Sequence, residues 1–368
     1  MRLEQVGLYL VEMPLVAPFV TSFGEERVRT ALLVWVRGEG LTGWGECVAG
    51  SGPWFSPETV GTARHVIADF ALPLLQGKDI AHPQELPGLL RPIRGHPMAK
   101  AALEAAVWDL WGKMHNQSLA QLLGAVRDRV PAGVSVGIQK DISTLLNVVG
   151  SFVDQGYQRV KLKTKPGWDV EPVRAVREKF PELPLSVDAN AAYTPADLAH
   201  LKELDKFRLL MIEQPFHYDD LWGHARLARE LQTPVCLDES IFSPQRAWEA
   251  LELGACRIIN VKQGRVGGLS AALEIHNLAV ERGVPLWCGG MLETGLGRAL
   301  NVALAALPGF VLPHDISATD RYYREDVAHP PFKLEDGHIR VPQGPGLGVE
   351  VDLERVVRFS VACWTYRM

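Results

Sequence analysis

Five charged residues recur at an almost constant interval in the middle of the chain. Lys163, Asp188, Glu213, Asp238 and Lys262 are separated by 25, 25, 25 and 24 residues, and each one ends a short apolar run. In a barrel of parallel strands, the carboxyl ends of successive strands lie side by side on one rim, and active sites form at that rim. The spacing therefore predicts that these five side chains form a single ring.

The three central members of this ring are carboxylates. Asp188, Glu213 and Asp238 would repel one another strongly at one rim unless a cation lay between them. Three carboxylate oxygens, completed by waters and substrate oxygens, suit Mg²⁺ better than Zn²⁺, which prefers histidine and cysteine ligands. The sequence predicts a site for Mg²⁺, in which Mn²⁺ or another divalent cation could substitute.

Lysines flank the carboxylates on both sides. Lys161 and Lys163 are two residues apart on one predicted strand, so both point to the same face, the barrel interior. A buried lysine needs a partner or a function, and a neighbouring dication makes its neutral amine more available as a base. Lys262 comes from the far side of the ring. The α-carbon of a bound carboxylate would thus lie between Lys163 and Lys262, and the metal would stabilise the enolate formed by proton removal.

The elements that must position this ring are short strands that alternate with helices. Ser243-Pro244 is typical of a helix start, whereas Gly156, Gly254 and Gly283 lie where helices should end. The pattern predicts an α/β fold in which residues 129–320 form a modified TIM-type (β/α) barrel, with a doubly wound open sheet as the alternative. The predicted strands are Val134–Ile138, Arg159–Lys163, Leu183–Val187, Leu209–Ile212, Val235–Leu237, Arg257–Val261, Pro285–Trp287 and Phe310–Leu312.

The two ends of the chain have a different character. Residues 1–128 contain strand-like runs such as Ala31–Arg37 and a helical segment at Ala101–Lys113, and Ser56-Pro57 is typical of a helix start. Residues 321–368 return to polar strands and turns. We expect this C-terminal segment to pack on the N-terminal segment, so that together they form an α+β capping domain.

The charge of the chain indicates which kind of binding partner to expect. A net charge of −5 and a pI near 6.1 give no basic footprint for nucleic acid or an anionic membrane, so a small-molecule carboxylate is the expected partner. No signal peptide or long apolar stretch is present, which predicts a cytoplasmic protein. The five cysteines are scattered and are expected to be buried thiols. A homo-oligomer is expected, since symmetric assemblies are common.

Taken together, these motifs resemble the enolase superfamily, and within it the muconate-lactonising-enzyme subgroup, over nearly the whole chain. The resemblance implies a (β/α) barrel with a capping domain and Mg²⁺ held by Asp188, Glu213 and Asp238. It also implies that Lys163 and Lys262 are the acid/base pair and that Lys161 holds the substrate carboxylate. The matching motifs are Gly43-Trp44-Gly45-Glu46, the WDLWGK helix, the KLK strand, the VDAN, IEQP and LDES segments and the Lys262 strand.

A narrower resemblance concerns the substrate. Cys288–Arg298 (CGGMLETGLGR) and the VSVGI strand are similar to the o-succinylbenzoate synthases that also racemise N-acylamino acids. In that group a mobile loop, here Phe19 to Gly24, closes over the substrate. The residues that the resemblance places against the substrate are Phe19, Phe23, Trp54, Ser135, Asn190, Gly290, Met291 and Leu292.

Several alternatives stay open at this point. A dipeptide epimerase is one, although the D-x-D element of those enzymes is missing at Pro313–Ile316, and a muconate-lactonising-type cycloisomerase is another. Lys262 could instead form a Schiff base as in an aldolase, or the barrel could be a non-catalytic binding protein. Dehydration and racemisation share one enolate, and the sequence does not separate them.

Overall fold

The computed structural model describes all 368 residues of the chain. Three antiparallel strands begin the capping domain, namely β1 (Gln5–Val20), β2 (Glu25–Gly38) and β3 (Leu41–Cys47). The predicted run at Ala31–Arg37 lies inside β2. In β3, Gly43 allows the sheet to approach the helix behind it, because a side chain there would meet the backbone oxygen of Ala106 at 2.1 Å.

Helices cover this sheet. They are α1 (Val60–Val66), a π-helical turn (Ile67–Ala71), α2 (Leu72–Leu75), a 3₁₀ turn (Pro83–Glu85), α3 (Leu86–Leu89), α4 (Pro97–Met114) and α5 (Leu119–Leu123). The helix predicted at Ala101–Lys113 is the buried α4. The predicted start at Ser56-Pro57 is wrong, because the Thr59 side chain accepts a hydrogen bond from the Thr62 amide at 3.1 Å and the helix begins there.

Strands and helices then alternate through the barrel. Strand β4 (Arg129–Pro131) precedes the barrel and lies outside its sheet. The barrel strands are β5 (Gly133–Val136), β6 (Arg159–Lys163), β7 (Leu185–Asp188), β8 (Ile212–Glu213), β9 (Val235–Leu237), β10 (Ile258–Val261) and β11 (Leu286–Cys288). The helices are α6 (Ile142–Asp154), α7 (Val170–Lys179), α8 (Leu198–Leu201), α9 (Leu221–Glu230), α10 (Pro244–Glu252), α11 (Gln263–Val266), α12 (Leu269–Glu281) and α13 (Gly295–Ala305), with 3₁₀ turns at Pro195–Asp197, Lys202–Phe207 and Thr319–Arg321. No helix of the chain has both the length and the apolar character needed to cross a membrane.

Seven parallel strands, β5 to β11, pair in sequence order and curl into the predicted barrel, which excludes the doubly wound alternative. Strands β6 and β9 have the predicted bounds, whereas the ends of the other strands are shifted; the run predicted at Leu209–Ile212, for example, pairs only at Ile212–Glu213. The eighth predicted strand, Phe310–Leu312, is wrong, because Phe310 makes only an isolated bridge with Leu286. Pro313 follows and has no N–H with which to continue a ladder.

The predicted boundaries of several helices are confirmed by their local geometry. The Ser243 hydroxyl accepts a hydrogen bond from the Arg246 amide at 3.2 Å at the start of α10. Gly156, Gly254 and Gly283 have φ values of 87°, 66° and 65° and end the helices before β6, β10 and β11. The strands are therefore spaced as the sequence pattern required.

The C-terminal segment returns to the capping domain. It contains β12 (Ala328–His329), β13 (Leu334–Glu335), β14 (His338–Arg340), β15 (Glu350–Val351), α14 (Leu353–Phe359) and β16 (Ser360–Arg367). Strand β16 pairs with β1, so that Gln5 lies opposite Arg367. Alternate side chains of β16 face solvent, and Cys363 is consequently exposed, whereas the other four cysteines are buried as expected.

Buried carboxylates of the capping domain hold two helices of the barrel in place. Glu46 accepts hydrogen bonds from the Thr294 hydroxyl at 2.6 Å and from the Gly297 amide at 3.0 Å, at the start of α13. Glu104 on α4 accepts one from the Ser270 amide at 2.9 Å, at the start of α12. The two helix ends are thereby fixed against the cap.

Burial raises the pKa of Glu104 to about 7, well above 4.5. The folded protein therefore binds this proton more tightly than the unfolded chain does, and the resulting stabilisation is complete below pH 4.5 and is lost as pH rises through 7. We expect this carboxyl to lower the free energy of unfolding by about 3 kcal/mol over that window. Glu104→Gln, which cannot ionise, should show a correspondingly flatter dependence on pH in urea titrations. If the free energy of unfolding of Glu104→Gln changed with pH as much as that of the wild type, Glu104 would not be the group responsible.

Candidate active site

Three carboxylates meet at the carboxyl-terminal rim of the barrel. Asp188 ends β7, Glu213 ends β8 and Asp238 directly follows β9, so each is carried by a neighbouring strand. All three are fully buried, and their ligand oxygens lie within 4.8 Å of one another. This geometry is that of a site that could hold a metal ion.

Two lysines of β6 face the same interior. Lys161 Nζ lies 2.9 Å from Glu213, 3.1 Å from Asp188 and 2.7 Å from Asp315. Lys163 Nζ donates hydrogen bonds to Asp188 at 2.6 Å and to the side-chain oxygen of Asn190 at 2.7 Å. Both ammonium groups are therefore held by acceptors at the rim, as their alternation with Leu162 required.

Lys262 reaches the cluster from the other side. It directly follows β10, and its Nζ donates a hydrogen bond to Asp238 at 2.8 Å. The same Nζ lies 4.6 Å from the centre of the Phe55 ring in the cap. Since β6 is the second and β10 the sixth of the seven strands, Lys163 and Lys262 flank the carboxylates.

Opposite charges shift one another's ionisation in this cluster. Burial disfavours the charged form of Asp188, but Lys163 and Lys161 overcome it and lower the pKa of that carboxyl to about 2. Burial likewise disfavours the ammonium of Lys161, yet Asp315, Glu213 and Asp188 raise its pKa well above the usual value. The pKa of Asp315 is held below its usual range by Arg159 and Lys161, against the effect of burial.

Left-handed backbone conformations concentrate at the same rim. Asn190, Ala191, Gln214 and Leu292 have φ values of 44°, 61°, 37° and 57°, all in loops that leave barrel strands. Residues other than glycine adopt this conformation at a cost, and it persists where the surroundings fix it, often at functional sites. Asn190, for instance, is fixed by a hydrogen bond from its backbone N–H to the Asp188 carboxylate at 3.0 Å.

A cleft of about 1070 Å³, including its open mouth, lies between the cap and this rim. The three lysines line its floor. All of the residues predicted to contact substrate also line it, and these are Phe19, Phe23, Trp54, Ser135, Asn190, Gly290, Met291 and Leu292. Trp54 is 73% exposed and Phe23 is 44% exposed, so apolar surface faces the opening. The Ser135 hydroxyl already donates to Asp315 at 3.0 Å.

The segment predicted as a loop at Phe19 to Gly24 is shorter than expected. Strand β1 continues to Val20, and only the turn between Thr21 and Gly24 separates it from β2. The Val20 oxygen accepts a hydrogen bond from the Ile138 amide of the barrel at 3.0 Å. Phe19 is therefore presented to the cleft by a strand, because pairing of β1 with β2 resumes at this point.

Several side chains at the rim were not predicted. Asp315 forms an ion pair with Arg159 as well as with Lys161, and the Asn260 amide donates to Glu213 at 2.8 Å. Arg265 forms an ion pair with Asp238. A signal existed for two of them, because Arg159 lies two residues before Lys161 and Asn260 two before Lys262, on the same face of their strands.

The barrel, its capping sheet and the ring of strand-end carboxylates and lysines define an enolase superfamily protein, and the chain belongs to that superfamily. Residues 145–356 match the family described as enolase C-terminal domain-like. Residues 5–124 match the mandelate racemase / muconate lactonizing enzyme N-terminal domain. The resemblance inferred from the motifs is thereby confirmed.

Individual relatives narrow the comparison. The chain is 51% identical over 360 residues to an o-succinylbenzoate synthase of Geobacillus kaustophilus, covering 98% of this chain and 96% of the relative. It is 54% identical over 351 residues to an N-succinylamino acid racemase of Amycolatopsis sp, covering 95% of each. A solved structure of an enolase superfamily member from Listeria innocua superimposes with a TM-score of 0.97 at 44% identity, covering 100% of this chain and 99% of that one.

Proposed function

We propose that this protein is a Mg²⁺-dependent enzyme that removes the proton next to a carboxylate and so forms an enolate. The observation that carries the proposal is the placement of Lys163 and Lys262 on two sides of one buried three-carboxylate cluster. Asp188, Glu213 and Asp238 fit Mg²⁺ because the set is all-oxygen, anionic and compact. When bound, the cation would stabilise the negative charge that develops on the substrate.

Each lysine has a distinct task in this proposal. Lys161 binds the substrate carboxylate in exchange for one of the three carboxylates that its ammonium contacts at the floor of the cleft. In racemisation, Nζ of Lys163 or Lys262 takes the α-proton from one face, and the other lysine returns a proton to the opposite face. In syn-dehydration, Lys163 takes the proton and then gives it to the departing hydroxide, while the Lys262 ammonium supports the enolate.

The names of the relatives favour two reactions. One is o-succinylbenzoate synthesis by dehydration, a lyase reaction, and the other is racemisation of N-succinylamino acids, an isomerase reaction. The substrates would enter the cleft with the acyl chain beneath Phe19, Phe23 and Trp54. We place the enzyme in the cytoplasm and expect it to form a homo-oligomer.

The contacts of Asp315 argue against the dipeptide epimerase alternative. A free substrate ammonium needs an open carboxylate, and Asp315, which faces the cleft, is already paired with Arg159, Lys161 and Ser135.

A Schiff-base aldolase leaves the three clustered carboxylates without a role. Reduction with borohydride in the presence of a carbonyl substrate would reveal that chemistry by a stable adduct on Lys262.

The direct test is an assay of the purified protein with both substrate types. We expect o-succinylbenzoate to form from its β-hydroxy precursor, or the optical rotation of an N-succinylamino acid to decay, and either activity should disappear in EDTA and return with Mg²⁺. Full activity after removal of divalent cations would refute the proposal. The ratio of the two kcat/KM values then decides which reaction is preferred.

A further inference from the structure

A carboxylate beside the ring, Glu239, has no role in the proposed chemistry. One of its oxygens accepts a hydrogen bond from the side-chain amide nitrogen of Asn190 at 2.9 Å. The other oxygen is buried and has no hydrogen-bond partner. A carboxylate that directly follows Asp238 requires an explanation, because it adds repulsion unless it performs a function.

The contact with Asn190 suggests that function. The oxygen of the same amide group accepts the hydrogen bond from Lys163 Nζ at 2.7 Å. An asparagine amide can turn either its oxygen or its NH₂ group toward a neighbour, and its partners decide which. A carboxylate accepts hydrogen bonds, so Glu239 draws the NH₂ group to itself and leaves the oxygen facing Lys163.

We infer that Glu239 is a positioning residue for Lys163 and acts through Asn190. Asp188 and Asn190 take two of the directions around Lys163 Nζ, so the remaining direction is defined and is available to the α-carbon. Lys262 has no such arrangement, because its Nζ bonds Asp238 and lies over the Phe55 ring. The hydrogen-bond route from Glu239 through Asn190 therefore reaches one face of the substrate only. This inference rests on the proposed function of the two lysines.

The test measures exchange of the α-proton in D₂O, separately for the two enantiomers of an N-succinylamino acid, with the Mg²⁺-loaded protein. Glu239→Leu removes the acceptor and should lower exchange about tenfold for the enantiomer whose proton faces Lys163, with less than about a threefold change for the other. Glu239→Gln is the matched control. Its oxygen can still accept from Asn190, so exchange should stay within about threefold of the wild type for both enantiomers.

A second variant separates positioning from charge. Asn190→Ala should show the same one-sided loss whether or not Glu239→Leu folds, and Glu239→Leu should add less than about twofold in the Asn190→Ala background. Three results would overturn the inference. Equal losses for both enantiomers, or a loss in Glu239→Gln equal to that in Glu239→Leu, would show that the charge of Glu239 acts on both lysines. Additive losses in the double variant would show that Glu239 does not act through Asn190. A wild-type protein that exchanges neither proton would instead refute the proposed function.

Discussion

Glu213→Gln is expected to lower turnover about a thousandfold while leaving the protein folded. Glu213 is fully buried at the rim and accepts hydrogen bonds from Lys161 and Asn260. Glutamine keeps one acceptor oxygen for Lys161, and its NH₂ group can donate to the Asn260 amide oxygen once that amide turns over, while the charge that a cation needs is lost. Asp188→Asn and Asp238→Asn should behave alike. Circular dichroism and kcat/KM, measured over a range of Mg²⁺ concentrations, check the expectation.

Thermal stability gives an independent measure of the same site. A ligand that binds only the folded state at a hundred times its Kd stabilises a protein by about 2.7 kcal/mol, so Mg²⁺ should raise the Tm of the wild type and do much less for Glu213→Gln. Asp326→Asn is the matched control, since Asp326 is buried outside the ring, where it accepts a hydrogen bond from the Gly295 amide at 2.9 Å. An equal Mg²⁺ response in Glu213→Gln and Asp326→Asn would remove the ring from the metal site.

Lys163→Ala and Lys262→Ala should each abolish exchange of the α-proton from one enantiomer in D₂O. Because the two lysines stand on different sides of the carboxylate cluster, each is expected to serve one face of the α-carbon. General acid/base groups contribute factors of about a hundred to ten thousand, so the loss should be at least about a hundredfold on the affected face. Racemisation should fail in both variants, whereas syn-dehydration should depend on Lys163 as acid and base.

The control for this pair is Lys165→Ala, since Lys165 is exposed just beyond β6 and contacts none of the three carboxylates. It should exchange both protons at the wild-type rate. If Lys163→Ala and Lys262→Ala each lost exchange from both enantiomers to the same degree, the model with one lysine per face would be untenable, even with the metal site intact.

The ring at the rim was predictable because it depends on local regularities. One strand and one helix repeat at nearly equal length, and strand alternation places Lys161 and Lys163 on one face. The same logic gave the fold class and most strands. Phe310–Leu312 was not separable from a true strand by its apolar character, since what decides is whether backbone groups find a partner.

The partners of the ring were harder to predict because they come from distant parts of the chain. Asp315 pairs with Arg159 across 156 positions, and nothing in the sequence around either residue announces the contact. Glu239 follows a predicted metal ligand, yet its hydrogen bond to Asn190 depends on how the loops after β7 and β9 leave their strands on the two sides of β8. Ion pairs between residues that are distant in the sequence can be identified only from the tertiary structure of the barrel.

Strand β1 links two places that lie far apart in the sequence. Near its beginning it pairs with β16, the last strand of the chain, and at its end it carries Phe19 to the cleft. The pairing of β1 with β2 is interrupted between Pro14 and Phe19, and its pairing with β16 ends at Val11, so the part of β1 that reaches the cleft is held separately from the part that the last strand supports. Substitutions in β16 are therefore expected to change the stability of the cap without changing which acyl groups the cleft admits.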